Sequence, residues 1–371
     1  MKSYDYLIIG AGLFGCVFAQ KMSQHGKKCL LIEKRDTVGG NCATEYTNDI
    51  YIHKYGSHVF HTDNLDIWKY VNKFDIFNPF INRVKAVCNK KIYLLPINLM
   101  TLNQIWGVST PKEAMKLIGE KKLKIENPKN AEEYLLSTIG EELTGIFYRG
   151  YTEKQWGLPL STLPVSTYKR LPIRFNFDDN FYNHLYQGIP ENGYTYLCMN
   201  MIKKCDLNFQ TNYFANRQMY NNLANKIVYT GPIDKFFNYK YGYLKYISIN
   251  FKYETLPVND QQGCAVISYP TRDVEYTKSI EHKHFMAQCK NNKTTIIHKE
   301  YPIQNTTVES HEPFYPINND ENNKIYDQYL NESRQLKNFI FGGRLAEYKY
   351  YDMHDVIKNA IHVANNEMWK I

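Results

Sequence analysis

Apolar and polar positions follow three regimes along this chain. From Tyr4 there is a short apolar run, Tyr6–Ile9, then glycines at 10, 12 and 15, an apolar helical stretch, and a second apolar run, Cys29–Ile32, ending at Glu33. Continuous apolar runs of this length predict strands buried on both faces, as in a parallel sheet. Val84–Leu95 predicts two strands about the turn Asn89–Lys90. Between Thr101 and Trp156 the spacing lengthens, and Leu135, Ile139, Leu143 and Ile146 recur at three and four, so helices are expected. Thr110 before Pro111, and Asn130 before Glu133, read as helix starts. From Leu171 to about Glu332 the pattern is mostly strands and turns. Asp206–Ala215 and Lys226–Gly231 are expected to return to the first sheet. Tyr243–Tyr253, Gly263–Tyr269, Ile280–Phe285 and Thr294–Glu300 suggest an antiparallel sheet, and Asn318–Asn323 a polar loop. Phe339–Phe341, Gly342–Gly343 and a stripe of Met353, Val356, Ile357, Ala360, Ile361 and Ala364 then predict a strand–glycine–helix unit.

The opening stretch carries chemistry as well as structure. Strand, GxGxxG, helix, second strand and an acidic residue in that order form the dinucleotide-binding fingerprint in its context. Gly10 makes the tight turn, Gly12 admits a pyrophosphate, and Gly15 lets helix and strand approach. The helix start offers N–H groups and a positive dipole to phosphate, and Glu33 offers a carboxylate to ribose hydroxyls. Gly39–Gly40 looks like a second close approach to the cofactor, and Thr230–Gly231–Pro232 and Gly342–Gly343 can meet it from the other side. That two-ended arrangement favours FAD over NAD. The expected fold is α/β. A discontinuous Rossmann-like FAD-binding domain (1–76, 206–240, 335–371) carries a helical substrate or lid domain (99–165) and an antiparallel sheet domain (77–98, 166–205, 241–334).

Composition narrows the class further. The 32 tyrosines suit a wet pocket for sugars or nucleotides, though they also fill sheet surfaces. The net charge of +8 fits an anionic substrate. That charge is diffuse and no nucleic-acid motif accompanies it, so a nucleic-acid tether is disfavoured. Eight scattered cysteines without a CxxC pair point to a reduced, cytoplasmic setting. No signal peptide or long apolar run is evident, so neither export nor a membrane partner is expected. His53, His58 and His61 invite a metal reading, but no ligand set is complete, and none is expected.

Six segments resemble the UDP-galactopyranose mutases, flavoenzymes of bacterial cell-surface polysaccharide biosynthesis. They are HKYGSHVFHTDN at 53–64, GYTEKQWG at 150–157, KRLPIRFNFDDNF at 169–181, TGPID at 230–234, IEHKHF at 280–285 and GGRLAEYKYYDMH at 342–354. The resemblance spans nearly the whole chain. It implies an isomerase that interconverts UDP-galactopyranose and UDP-galactofuranose. In the family, reduced FAD attacks the anomeric carbon and the sugar changes ring size as a covalent adduct. NAD(P)H is the implied reductant and a homodimer the implied assembly.

The same resemblance assigns residues. Arg170, Lys278 and His58 are the implied catalytic set. Asn82, Tyr151, Trp156, Phe181, Tyr315, Tyr350 and Asp352, with Arg170 and Lys278, are implied in substrate binding. Arg170 matches a mobile-loop arginine, and the segment from Trp156 to Phe181 is expected to close over substrate. Gly10, Gly12, Phe14, Gly15, Glu33, Lys34, Gly40, Asn41, His58, Arg344, Tyr350, Asp352 and Met353 are implied in holding FAD. Three positions depart from the family pattern: Lys278 and Ile247 stand where phosphate-binding arginines are usual, and Phe181 where a tyrosine is usual. These leave room for a related donor, dTDP-fucopyranose or UDP-N-acetylgalactopyranose. An oxidoreductase of the amine-oxidase type, which shares the cofactor fold, is the remaining alternative.

Overall fold

A computed structural model describes residues 2–169, 172–289 and 293–369. It divides into two compact units. The first comprises Met1–Phe80, His184–Tyr246 and Thr306–Ile371, the second Ile81–Asn183 and Ile247–Asn305.

The first unit is built on a five-stranded parallel sheet. Across it lie Asp206–Asn208, Cys29–Ile32, Tyr4–Ile9, Ala224–Tyr229 and Phe339–Phe341. Tyr4–Ile9 is central, with Ile9 opposite Ile32 on one side and Tyr229 on the other. Leu7 and Ile8 have no exposed surface, which is why this run shows no polar alternation. The helix Leu13–Gln24 packs on the helices Met353–Met368 and Gly193–Ile202. Beside them sit a three-stranded antiparallel sheet (Phe60–Thr62, Tyr186–Pro190, Phe77–Pro79) and the hairpin Thr44–Thr47/Ile50–His53.

The second unit joins helices to a mainly antiparallel sheet. Its strands run in the order Tyr246–Leu256, Thr295–Thr306, Lys278–Glu281, Val266–Ser268, Lys85–Cys88 and Lys91–Leu94. Asn89 and Lys90 both have positive φ, as a tight hairpin turn requires. The helices Leu99–Trp106, Pro111–Lys121 and Ala131–Thr144 bury Leu102, Ile118, Leu135 and Ile139 in one core. Thr110 accepts from Glu113 N–H while Glu113 reaches back to Thr110 N–H. Asn130 caps its helix through Glu133 N–H, but the Glu133 carboxylate turns to Lys129 N–H instead of closing a box.

Several expected elements are corrected. Asp206–Ala215 is a strand only to Asn208, after which the chain makes a turn and a short 3₁₀ segment at Tyr213–Ala215. The stretch from 171 to 332 holds the helices Gly193–Ile202 and Asp320–Ser333 and the short helices Arg217–Asn221 and Ile233–Phe236, which the pattern did not announce. Asn319, read as loop, caps Asp320–Ser333 through Asn322 N–H. Ile280–Phe285 is strand only to Glu281, and His282–Phe285 is 3₁₀. The stripe Leu135–Ile146 is not one straight helix. At Gly140 φ is 80° and ψ 176°, and the following residues start afresh.

Candidate functional site

Backbone shape builds the centre of the first unit's site. At Gly10 the chain leaves its strand with φ 104°, and a Cβ there would overlap Thr230 Oγ1, whose hydroxyl donates to Ile9 O at 2.8 Å. At Gly15 a Cβ would overlap Gly10 O, so the helix sits directly on the turn. A Cβ on Gly12 would come 3.8 Å from Gly40 Cα, and one on Gly40 3.2 Å from Gly12 Cα. Gly39 N–H donates to Ala11 O at 2.8 Å and locks the two loops together. A Cβ on Gly342 would run into the Phe14 ring, and Phe14 is buried. Three strand ends thus meet in a cradle with almost no side chain, the shape a pyrophosphate needs at a helix start.

The acidic end of the cradle is also formed. Glu33 is buried and accepts from Ala11 N–H at 2.8 Å and Arg35 N–H at 3.0 Å. Arg35 lies 4.3 Å above the Tyr55 ring and donates to Asn41 Oδ1 and Glu312. Its Nη1 is buried with no hydrogen-bond partner among the described residues. A buried donor left unpaired is costly, and a polar group of a bound nucleotide would satisfy it. Lys34 points outward and pairs with Glu312 at 2.6 Å. These observations fit a dinucleotide: the glycine cradle, the ribose acid and an orphan donor lie in one unit.

The other expected residues of this unit fall nearby along the chain. His58 Nδ1 is 2.7 Å from the Gly56 carbonyl, which only accepts, so the ring proton sits on Nδ1. The Arg344 guanidinium donates to Phe314 O at 2.6 Å and lies 5.1 Å from the Tyr350 ring and 5.9 Å from the Tyr315 ring. Tyr315 and Tyr350 stack at 5.8 Å, so arginine and two phenols form one group. Asp352 is the N-cap residue of the helix that Met353 begins, but its carboxylate makes no capping bond. His53, His58 and His61 are not gathered into a ligand set: His53 Nδ1 accepts from His58 N–H at 3.0 Å, and His61 lies elsewhere.

In the second unit Asn82 is buried, and its Oδ1 has no partner among the described residues. Its carbonyl takes Phe181 N–H at 2.8 Å, so the two expected binding residues are coupled through backbone. Tyr151 and Trp156 share the helix Gly150–Trp156, and Trp156 packs on the helical core. Lys278 Nζ lies 3.3 Å from Glu300 Oε2, directly across two paired strands. Burial pushes the Glu300 carboxyl up, but Lys278 and His298 outweigh it and hold it at about 2. Ile247 is fully buried in its strand, so no charge stands where a family arginine is usual. Arg170 lies outside the described residues. Sequence reasoning missed Arg35 and Glu300. The alternation of Lys278 and Glu300 on facing strands was a signal for the second; none announced the first.

Parallel sheet, glycine cradle and ribose acid define an α/β dinucleotide-binding protein. The comparisons take this further. A model of NAD(P)-binding Rossmann-like domains matches residues 8–74, and the family model described as UDP-galactopyranose mutase matches 146–350. The chain is 38% identical to the dTDP-fucopyranose mutase of Escherichia coli, covering 96% of this chain and 97% of that protein. It is also 38% identical to a probable UDP-galactopyranose mutase of Klebsiella pneumoniae, covering 98% and 95%. Among solved structures, a reduced UDP-galactopyranose mutase superposes with TM-score 0.78 over 100% of this chain and 95% of that one, at 14% identity. A putrescine oxidase superposes at 0.59 with 10% identity, which shows a shared fold alone. The chain belongs to the UDP-galactopyranose mutase family. It is a flavin-dependent mutase, an isomerase by class.

Proposed function

We propose that the chain interconverts UDP-galactopyranose and UDP-galactofuranose. The observation that carries the reading is the coincidence of an intact glycine cradle with 38% identity over nearly the whole chain to family mutases. Bound and reduced FAD would supply nucleophilic chemistry at the anomeric carbon; NAD(P)H is the reductant we assign. Gly10, Gly12, Gly15 and Gly40 would admit the pyrophosphate, with Phe14 behind them, and we assign Glu33, Lys34 and Asn41 to its adenosine end. His58, Arg344, Tyr350, Asp352 and Met353 complete that contact. Asn82, Tyr151, Trp156 and Phe181 hold the nucleotide. Lys278, Arg170, Tyr315 and Tyr350 hold the departing diphosphate, since cations and phenol donors favour its charge over that of the intact ester. Asp352 faces the sugar. We also assign a homodimer, a cytoplasmic setting and a role in cell-surface polysaccharide synthesis. The three-part division into an FAD-binding domain (1–76, 206–240, 335–371), a helical domain (99–165) and a sheet domain (77–98, 166–205, 241–334) remains our proposal for the working parts.

One observation favours a second donor. The Escherichia coli relative acts, by its name, on dTDP-fucopyranose, and it matches as well as the Klebsiella protein. Lys278, Ile247 and Phe181 remove forked and hydroxyl donors from the diphosphate region. Incubating dithionite-reduced enzyme with UDP-galactose, dTDP-fucose or UDP-N-acetylgalactosamine, then separating ring forms by chromatography, decides the matter. A furanose peak from UDP-galactose alone is expected, and none from any donor ends the mutase reading. Arg170→Ala is expected to abolish turnover with FAD still bound.

A further inference from the structure

Three histidines from distant parts of the first unit meet outside the roles assigned above. His61 sits in the strand Phe60–Thr62, His184 just before its partner strand Tyr186–Pro190, and His354 in the first turn of the helix Met353–Met368. One ring nitrogen from each lies within 4.8 Å of the other two. His61 Nδ1 and His184 Nδ1 are 2.6 Å apart, so one of them donates to the other. His61 is 7% exposed, and His184 and His354 are half-buried.

Two of the rings have a carboxylate behind them. Asp63 Oδ2 lies 3.8 Å from His184 Nε2, and Asp355 Oδ1 lies 3.5 Å from His354 Nε2. A carboxylate holds a proton on the nitrogen it faces and leaves the other nitrogen with its lone pair bare. In His354 that other atom, Nδ1, is buried with no hydrogen-bond partner among the described residues. Asp63 is itself fixed, because its Oδ1 accepts from Leu185 N–H at 2.7 Å. Clustered imidazoles, carboxylates facing two of the rings and a buried ring nitrogen without a hydrogen-bond partner are the parts of a transition-metal site.

We propose that His61, His184 and His354 bind a divalent first-row cation of the zinc class, with Asp63 and Asp355 as the outer carboxylates. Nitrogens about 2 Å from zinc in tetrahedral array stand roughly 3.3 Å apart. The His61–His184 pair opens slightly to admit the ion, and the proton between them moves to an outer nitrogen. A fourth position stays open to water. The ion ties the start of the Met353–Met368 helix, with the adjoining Asp352, to the strand that follows His58.

The test uses chelator-stripped, FAD-loaded protein in equilibrium dialysis against zinc chloride, with bound zinc measured by atomic absorption. One equivalent is expected at roughly micromolar free zinc. H184Q and H354Q should each lose it with flavin absorbance and circular dichroism unchanged. D63N should weaken binding by roughly 10–100-fold, as outer-shell loss does. D260N, which alters a separate acidic group in the other unit, should change nothing. Should a histidine variant misfold, D63N on an exposed loop still decides. Zinc uptake absent in the unaltered protein, or kept by both histidine variants, or insensitive to D63N, overturns the assignment.

Discussion

Single residues set the limits of this site through atoms they lack or positions they hold. Gly10→Ala places a methyl group against Thr230 Oγ1 at a φ of 104° that L-residues avoid. The variant is expected to purify with at least roughly tenfold less flavin, read from its visible spectrum, because the tight turn that aims the helix start at the pyrophosphate is displaced. Lys278 tests the opposite property, a charge held in place. On the role proposed for it, removing it as Lys278→Ala costs the diphosphate a cation, and it leaves the buried Glu300 with His298 but no lysine across the sheet. A fall in kcat/KM of roughly 100-fold is expected. Lys278→Arg should recover activity beyond Lys278→Ala, since Glu300 and phosphate can share the forked donors. Equal rates in the two variants would mean that Lys278 does not touch the diphosphate.

At the scale of elements, the chain is readable where local physics decides and opaque where distant partners do. The central strands of the first unit were legible because a run buried on both faces, such as Tyr6–Ile9, leaves no room for a polar residue. The helix Gly193–Ile202 was not legible. Its sequence GYTYLCMNMI is rich in ring and β-branched side chains, and its start depends on Gly193, whose Cβ would overlap Thr44 Oγ1. Asp320–Ser333 was hidden by its own cap, since asparagines that start a helix also make loops. In the site, glycines were readable because their conformation is local. Arg35 was not, because its ion-pair partner Glu312 is 277 positions away. Gly140 belongs to the legible kind in retrospect: the break it makes is needed, because a Cβ there meets Lys121 O at 2.5 Å. Gly140→Ala should destabilise by roughly 2–4 kcal/mol in urea unfolding. A stability change near zero would show that the helix can straighten.

For the whole molecule, acid is expected to act through the buried carboxylate of the second unit. Glu300 is held at about 2 against an ordinary value of 4.5, so its ionised form favours the folded chain. Its contribution is complete above pH 4.5 and fades as pH falls toward 2, by roughly 3 kcal/mol at most. Denaturation midpoints between these limits should fall less steeply for Glu300→Gln, and a parallel slope would remove Glu300 from the account. Assembly of the first unit raises a different issue. Its central strand and the helix Leu13–Gln24 are translated early, whereas the neighbouring strand Ala224–Tyr229 comes about two hundred codons later and the covering helix Met353–Met368 more than three hundred. Until Ala224–Tyr229 is made, one edge of Tyr4–Ile9 lacks its native partner, and until Met353–Met368 is made the Leu13–Gln24 helix lacks one wall. A nascent chain of this protein therefore completes its cofactor cradle only when synthesis is nearly finished, and until then it exposes apolar surface that favours aggregation.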